Sequence, residues 1–216
     1  MVIRAHYFSR IGQTKPMGGP ILFKRLTLAI AAVILVSACA STRPIELQYM
    51  APAQSANFES ANAISLGNVA DERGNGANWI GAIRGGYGNP LKVLETDKPV
   101  KDIVADLVSE GLEARGVTNA YQAPYRLDVT IVRFESSQYV RREAHAQLKG
   151  DVVNTETGEV VYTGLGTADN VNGSVLAMNT GIFADPEELR SIANQTLQQA
   201  IDELLDDPKL HDALKG

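Results

Sequence analysis

Cys39 is the only cysteine in the 216-residue chain, and it closes an apolar run, FKRLTLAIAAVILVSACAS, over residues 23 to 41. A lone thiol can form no intrachain disulfide, so packing alone gives no reason for a nucleophilic sulfur at this point. The three histidines, His6, His145 and His211, are scattered between the ends and the middle of the chain. A metal site needs convergent ligands, so none is expected, and His145 reads as a surface residue on the polar side of a strand. Serines are present but none stands in a G-x-S-x-G elbow. The glycine-rich stretch 74 to 88 lacks the G-K-[ST] ending that cradles phosphate. No cofactor and no catalytic set is therefore expected. Two groups remain. Asp71 and Arg73 project to one side of a continuing strand and suit a structural ion pair better than a ligand site. Trp79, the only tryptophan, shares a small polar loop with Ile80, Ile83 and Tyr87. That group either folds back on the core or forms a contact patch; the core is favoured, since an apolar patch would otherwise face solvent.

Residues 26 to 38, LTLAIAAVILVSA, are 13 uncharged residues behind Lys24 and Arg25, short of the roughly 18 or more that a permanent spanning helix needs. A basic pair, a short apolar core and then Ser37 and Ala38 are the layout of a secretory signal peptide, which is cleaved and excluded from the fold. Val36-Ser37-Ala38-Cys39 resembles the bacterial lipobox. The resemblance implies lipid on the Cys39 sulfur and cleavage of residues 1–38 to leave Cys39 as the mature N-terminus. Several acyl chains on one cysteine make release negligible, at roughly 0.8 kcal/mol per buried CH₂. Ala40 and Ser41 lack the aspartate typical of inner-membrane retention, which implies the outer membrane. Residues 1 to 16 fit no part of this scheme, and Met17, just before GGPILFKR, reads as the better start.

The residues after the signal segment suit one domain. A formal charge of −5 with acidic and basic residues mixed along the chain excludes a nucleic-acid surface. Residues 40 to 62 are rich in Ser, Ala, Asn, Gln and Pro. They read as a tether from the lipidated cysteine, able to reach on the order of 70 Å when extended, with a short strand where Ile45, Leu47 and Tyr49 alternate with polar residues. The domain is expected over 63–207, with 208–216 as a tail.

The elements that must position these groups follow from periodicity. AISLGNVAD, residues 63 to 71, reads as a strand, and 72 to 90 as a Gly- and Asn-rich loop. Ile103, Val104, Leu107, Val108 and Leu112 recur at helix spacing, with Thr96 or Asp97 as cap, Pro99 in the first turn and Gly116 as the left-handed stop. The period then becomes two from Tyr125, again over Arg142 to Asn154, and a turn ending in Gly158 leads to a third strand through Val160 and Tyr162. A second polar loop covers 170 to 184. Asp185-Pro186-Glu187-Glu188 opens a second helix whose stripe runs from Leu189 to Leu205. This order predicts an α+β domain, a mostly antiparallel sheet with two helices on one face.

The lipobox, the Asp71-x-Arg73 strand end, the GNP at 88 to 90 with a helix closing on Ala114-Arg115-Gly116, and the strand YRLDVTIV together resemble the YajG-like family of bacterial lipoproteins. That resemblance implies place and fold, not chemistry. The expected function is a non-enzymatic outer-membrane lipoprotein that presents a periplasmic domain to an envelope protein or to peptidoglycan. An auxiliary subunit of a lipid-transport system and a cell-wall hydrolase are the alternatives.

Overall fold

A computed structural model describes residues 46–58, 64–117, 122–173 and 184–215. The signal segment and Cys39 lie outside these residues. Six strands and three helices are described: β1 Ile64–Asp71, β2 Trp79–Arg84, β3 Pro90–Glu95, α1 Val100–Ala114, β4 Tyr125–Gln138, β5 Arg142–Asn154, β6 Val160–Asn172, α2 Pro186–Leu205 and α3 Pro208–Ala213.

The sheet order is β3-β2-β4-β5-β6, with β1 also on β4. β4, β5 and β6 form the expected antiparallel meander. The other edge of β4 is shared by two strands that both run parallel to it, β1 along Tyr125 to Ile131 and β2 along Ser136 to Gln138. β1 and β2 thus act as one interrupted strand, and residues 72 to 78 leave the sheet between them.

Alternation puts Leu127, Val129 and Ile131 of β4 and Ala144, Ala146, Leu148 and Val152 of β5 on one buried face. A bulge in β4 between Ile131 and Arg133 shifts the alternation by one residue, so that Phe134 still points inward. The apolar stripes of α1 and α2 cover this face, completing the expected α+β architecture. Contact between α2 and β6 is so close that a Cβ on Gly166 would stand 1.9 Å from the Ala200 carbonyl oxygen.

Asp185 caps α2 as expected, its carboxylate accepting from the Glu187 amide at 2.9 Å. Gly116 closes α1 with a φ of +85°. At the start of α1 neither Thr96 nor Asp97 acts as the cap. The Val100 amide instead donates to the Ala77 carbonyl at 2.8 Å, and the Thr96 hydroxyl serves the carbonyls of Asn78 and Lys98. The 72 to 90 segment is not a loop throughout, since it contains β2. Gly81 does not loosen this strand: a Cβ there would meet Ser136 Oγ at 2.1 Å, so the glycine lets β2 close on β4. The tail expected at 208–216 contains α3, capped by Asp207 through the Lys209 amide and held by the buried Leu210.

Candidate functional site

Where β1 gives way to β2, the sheet edge would leave backbone carbonyls of β4 and β2 unpaired. Arg73 fills that gap. Its Nε and Nη2 each donate to Asp71 at 2.8 Å, and Nη1 donates to the carbonyls of Trp79 at 2.8 Å and Phe134 at 3.1 Å. Only 1% of the Arg73 side chain is exposed. The hydrogen bonds from Arg73 hold the Asp71 carboxyl below its ordinary range, against the opposing effect of burial. The guanidinium thus bolts β1, β2 and β4 together, a structural role for the Asp-x-Arg pair.

The four apolar residues of the glycine-rich segment part company. Ile80 and Ile83 are fully buried in the core, Tyr87 is wholly exposed, and Trp79 is half-buried at the start of β2. Truncating Trp79 to alanine is expected to cost about 2 kcal/mol, near half of the loss for a fully buried aromatic, and to lower the melting temperature by roughly 4–8 °C. Tyr87→Ala should leave the melting temperature where it is, and thermal scans of the two variants side by side check both outcomes.

Sequence spacing did not single out Arg115, whose side-chain partners beyond its own helix lie in two distant segments. Its side chain is 0% exposed and donates to Gly111 O at 2.9 Å, Tyr49 Oη at 2.9 Å, Asp202 Oδ1 at 3.0 Å and both Asp206 oxygens at 2.7 and 2.9 Å. Burial alone would lower its pKa, but the hydrogen bonds to Asp206, Tyr49 and Asp202 outweigh that and raise it. Tyr49 Oη donates in turn to Asp202 Oδ1 at 2.7 Å, and burial with that bond pushes its pKa up to about 12.

Tyr49 belongs to residues 46–58, which form no strand but a strap laid along the helices. Gln48 exchanges hydrogen bonds with Asn194 at 2.9 and 3.0 Å and accepts from Gln198. The Ala56 amide donates to Asp206 at 3.1 Å, and the Phe58 amide to the Arg115 carbonyl at 3.1 Å. Leu47 and Phe58 are buried, and the Phe58 ring stacks on His211 at 4.6 Å. The segment expected as a tether up to residue 62 is therefore attached to the domain from Glu46. Alternating apolar residues served this packing rather than strand pairing.

His145 sits on the open face of β5 beside Asp169 of β6, its register partner. No group of three or more metal-ligating side chains occurs among the described residues. No helix among them is long and apolar enough to cross a membrane. A surface depression beside the strap, lined by Glu46, Asp97, Asp106 and Glu110 among others, is rich in acids, with Lys98 paired to Asp106.

A family model described as uncharacterised lipoprotein matches residues 50–215. The chain belongs to this lipoprotein family. The resemblance drawn from the Asp-x-Arg strand end and the α1 closure is thereby borne out, and the protein is an envelope lipoprotein. Among solved structures, protein XCC0632 from Xanthomonas campestris matches with a TM-score of 0.54 at 18% identity, over 79% of this chain and 95% of that one. This likeness shows a shared fold. A PelC dodecamer from Paraburkholderia phytofirmans matches with a TM-score of 0.40 at 14% identity, over 74% of this chain and 96% of that one. No curated protein matches the sequence.

Proposed function

We propose that this lipoprotein is a non-catalytic component of the outer membrane, anchored by lipid on Cys39, which presents its α+β domain in the periplasm to an envelope protein or to peptidoglycan. The observation that carries the reading is the placement of Val36-Ser37-Ala38-Cys39 directly ahead of a region that matches a lipoprotein family from residue 50 onward. The surface available for presentation is the sheet face opposite the helices. Its charges are neutralised in place, as in Arg126 with Asp128 at 2.8 Å, Arg133 with Glu135 at 2.6 Å and Lys149 with Asp151 at 2.6 Å. Exposed Leu165 and Val171 lie on the same side of β6. A balanced, partly apolar face suits a protein surface better than a polyanion.

Cys39→Ala is expected to abolish lipid labelling, leave an unprocessed precursor and release the domain from the membrane fraction. Normal maturation of that variant would defeat the anchor, and wild-type protein in the inner-membrane fraction would defeat the outer-membrane assignment. Affinity purification from detergent-solubilised envelopes then tests the partner, with a specific envelope protein or peptidoglycan fragment as the expected companion.

A further inference from the structure

We infer that one end of the domain, the end bearing the β2–β3 and β4–β5 hairpin tips, rests on the lipid bilayer with Tyr87, Tyr139 and Val140 in its interfacial layer. The inference builds on the lipid anchor proposed above. Tyr87 projects from the first tip without burial, and Tyr139 and Val140 are exposed on the second. The two tips form one patch, because the Tyr139 hydroxyl donates to the Gly86 carbonyl at 2.7 Å. Leu91, also exposed, follows the first tip at the start of β3. Tyrosine, with an apolar ring and a polar end, is suited to the boundary between headgroups and acyl chains.

The path of the strap says why this patch meets a membrane. The Glu46 carbonyl accepts from Arg190 Nη1 at 3.1 Å, near the start of α2. Glu188, in the same turn, pairs with Arg142 at 2.7 Å, and Arg142 is three residues from Tyr139. Lys92 of β3 donates to Ala184, just ahead of α2, at 2.9 Å. Glu46, the first described residue of the strap, therefore lies at the hairpin-tip end, while Phe58 closes the strap at the far end against His211. Six residues lie between Cys39 and Glu46, and the seven steps from one Cα to the other span at most about 25 Å. β5 alone, with 13 residues, is about 40 Å long. The tether is too short to let the opposite end, where Val160 is exposed, turn freely to the bilayer. Of the cations near the patch, Arg141 pairs with Glu143 at 2.8 Å and Arg190 with Glu187 at 2.7 Å, while Arg84 donates to the Gly88 carbonyl at 3.1 Å.

The test uses the full chain, purified from membranes in detergent and reconstituted into phosphatidylcholine vesicles carrying brominated acyl chains. In a Trp79→Phe background, Tyr87→Trp, Tyr139→Trp and Val160→Trp each supply a single fluorophore at an exposed position. Emission from the Tyr87→Trp and Tyr139→Trp variants is expected to fall roughly twofold or more in brominated vesicles relative to unbrominated ones, and that from Val160→Trp to stay unchanged. Absence of quenching at the two tips, or equal quenching at all three positions, overturns the inference. A blue shift at the tips without bromine quenching, growing with protein density in the vesicle, also overturns it and assigns the patch to a second copy. Mass spectrometry of Cys39 keeps the two readings apart. If the thiol is unmodified, the anchor proposal fails, and coupling the same cysteine to a maleimide lipid lets the quenching comparison decide the orientation by the same criterion.

Discussion

Arg115→Ala is expected to lower the stability of the domain by about 3 kcal/mol, the lower end of the range for losing one partner of a buried ion pair, and the melting temperature by roughly 10 °C. The guanidinium is fully enclosed and touches the strap, α1 and the end of α2 together. Its loss leaves Asp202 and Asp206 facing each other across a cavity, with Tyr49 keeping a bond only to Asp202. Both carboxylates retain some water access, which places the cost at the lower end of the range. Arg115→Lys should not rescue, because a single ammonium cannot reach acceptors on several sides as the planar fork does. The strap gives an independent readout: residues 46–58 should become sensitive to limited proteolysis in Arg115→Ala well below its melting temperature. An unchanged digestion pattern with an unchanged melting temperature would remove the network from the account of the fold.

The same network gives an alkaline pH dependence. Tyr49 has its pKa raised to about 12 in the folded chain, against an ordinary value near 10. A raised pKa means the folded state holds the proton more tightly, so the strap's contribution is complete below about pH 10 and is lost as the pH climbs towards 12. Tyr49→Phe should flatten that part of the stability curve.

Arg73→Ala has the second large effect, about 3 kcal/mol, because it strips hydrogen bonds from a partly buried carboxylate and from two strand carbonyls. The loss falls on the join between β1 and β2, so amide exchange should rise in β2 and β3 more than in β5 and β6. A double-mutant cycle with Asp71→Ala should be strongly non-additive, since both changes remove the same pair. The sign of the acid dependence follows from Asp71, whose pKa is held down in the folded state. Its contribution is present above the unfolded carboxylate pKa, about 3.9, and is lost as the pH falls from there through the folded value. Wild-type protein should therefore lose stability below about pH 4 more steeply than Asp71→Asn, as measured by urea midpoints across the acid range.

Much of this architecture can be read from local pattern. Period-two alternation in β4 and β5, the Asp185-Pro186 opening of α2 and the left-handed Gly116 are signals carried by neighbouring residues, and each corresponds to an observed feature. Asp71 and Arg73 are two apart in sequence, so their pairing was also legible. The carbonyls of Trp79 and Phe134 that complete the Arg73 site were not, because they meet only when β2 and β4 align. Glycine content misled at Gly81, where the residue signals close contact between strands: the obstructing atoms belong to Ser136, 55 positions away. The strap shows the same limit. A polar, proline-containing segment has the composition of a free tether, and only the helix surface formed by α1 and α2 offers Asn194, Asp202, Asp206 and Arg115 as partners. Sequence alone thus determined β1, the β4–β6 meander, α1 and α2, the class of fold and the cysteine motif at residue 39, since those depend on short-range spacing. Tertiary structure decided which charges are buried, how the strap from Glu46 to Phe58 is held and which end carries the exposed tyrosines, since those depend on contacts between residues up to about 150 positions apart.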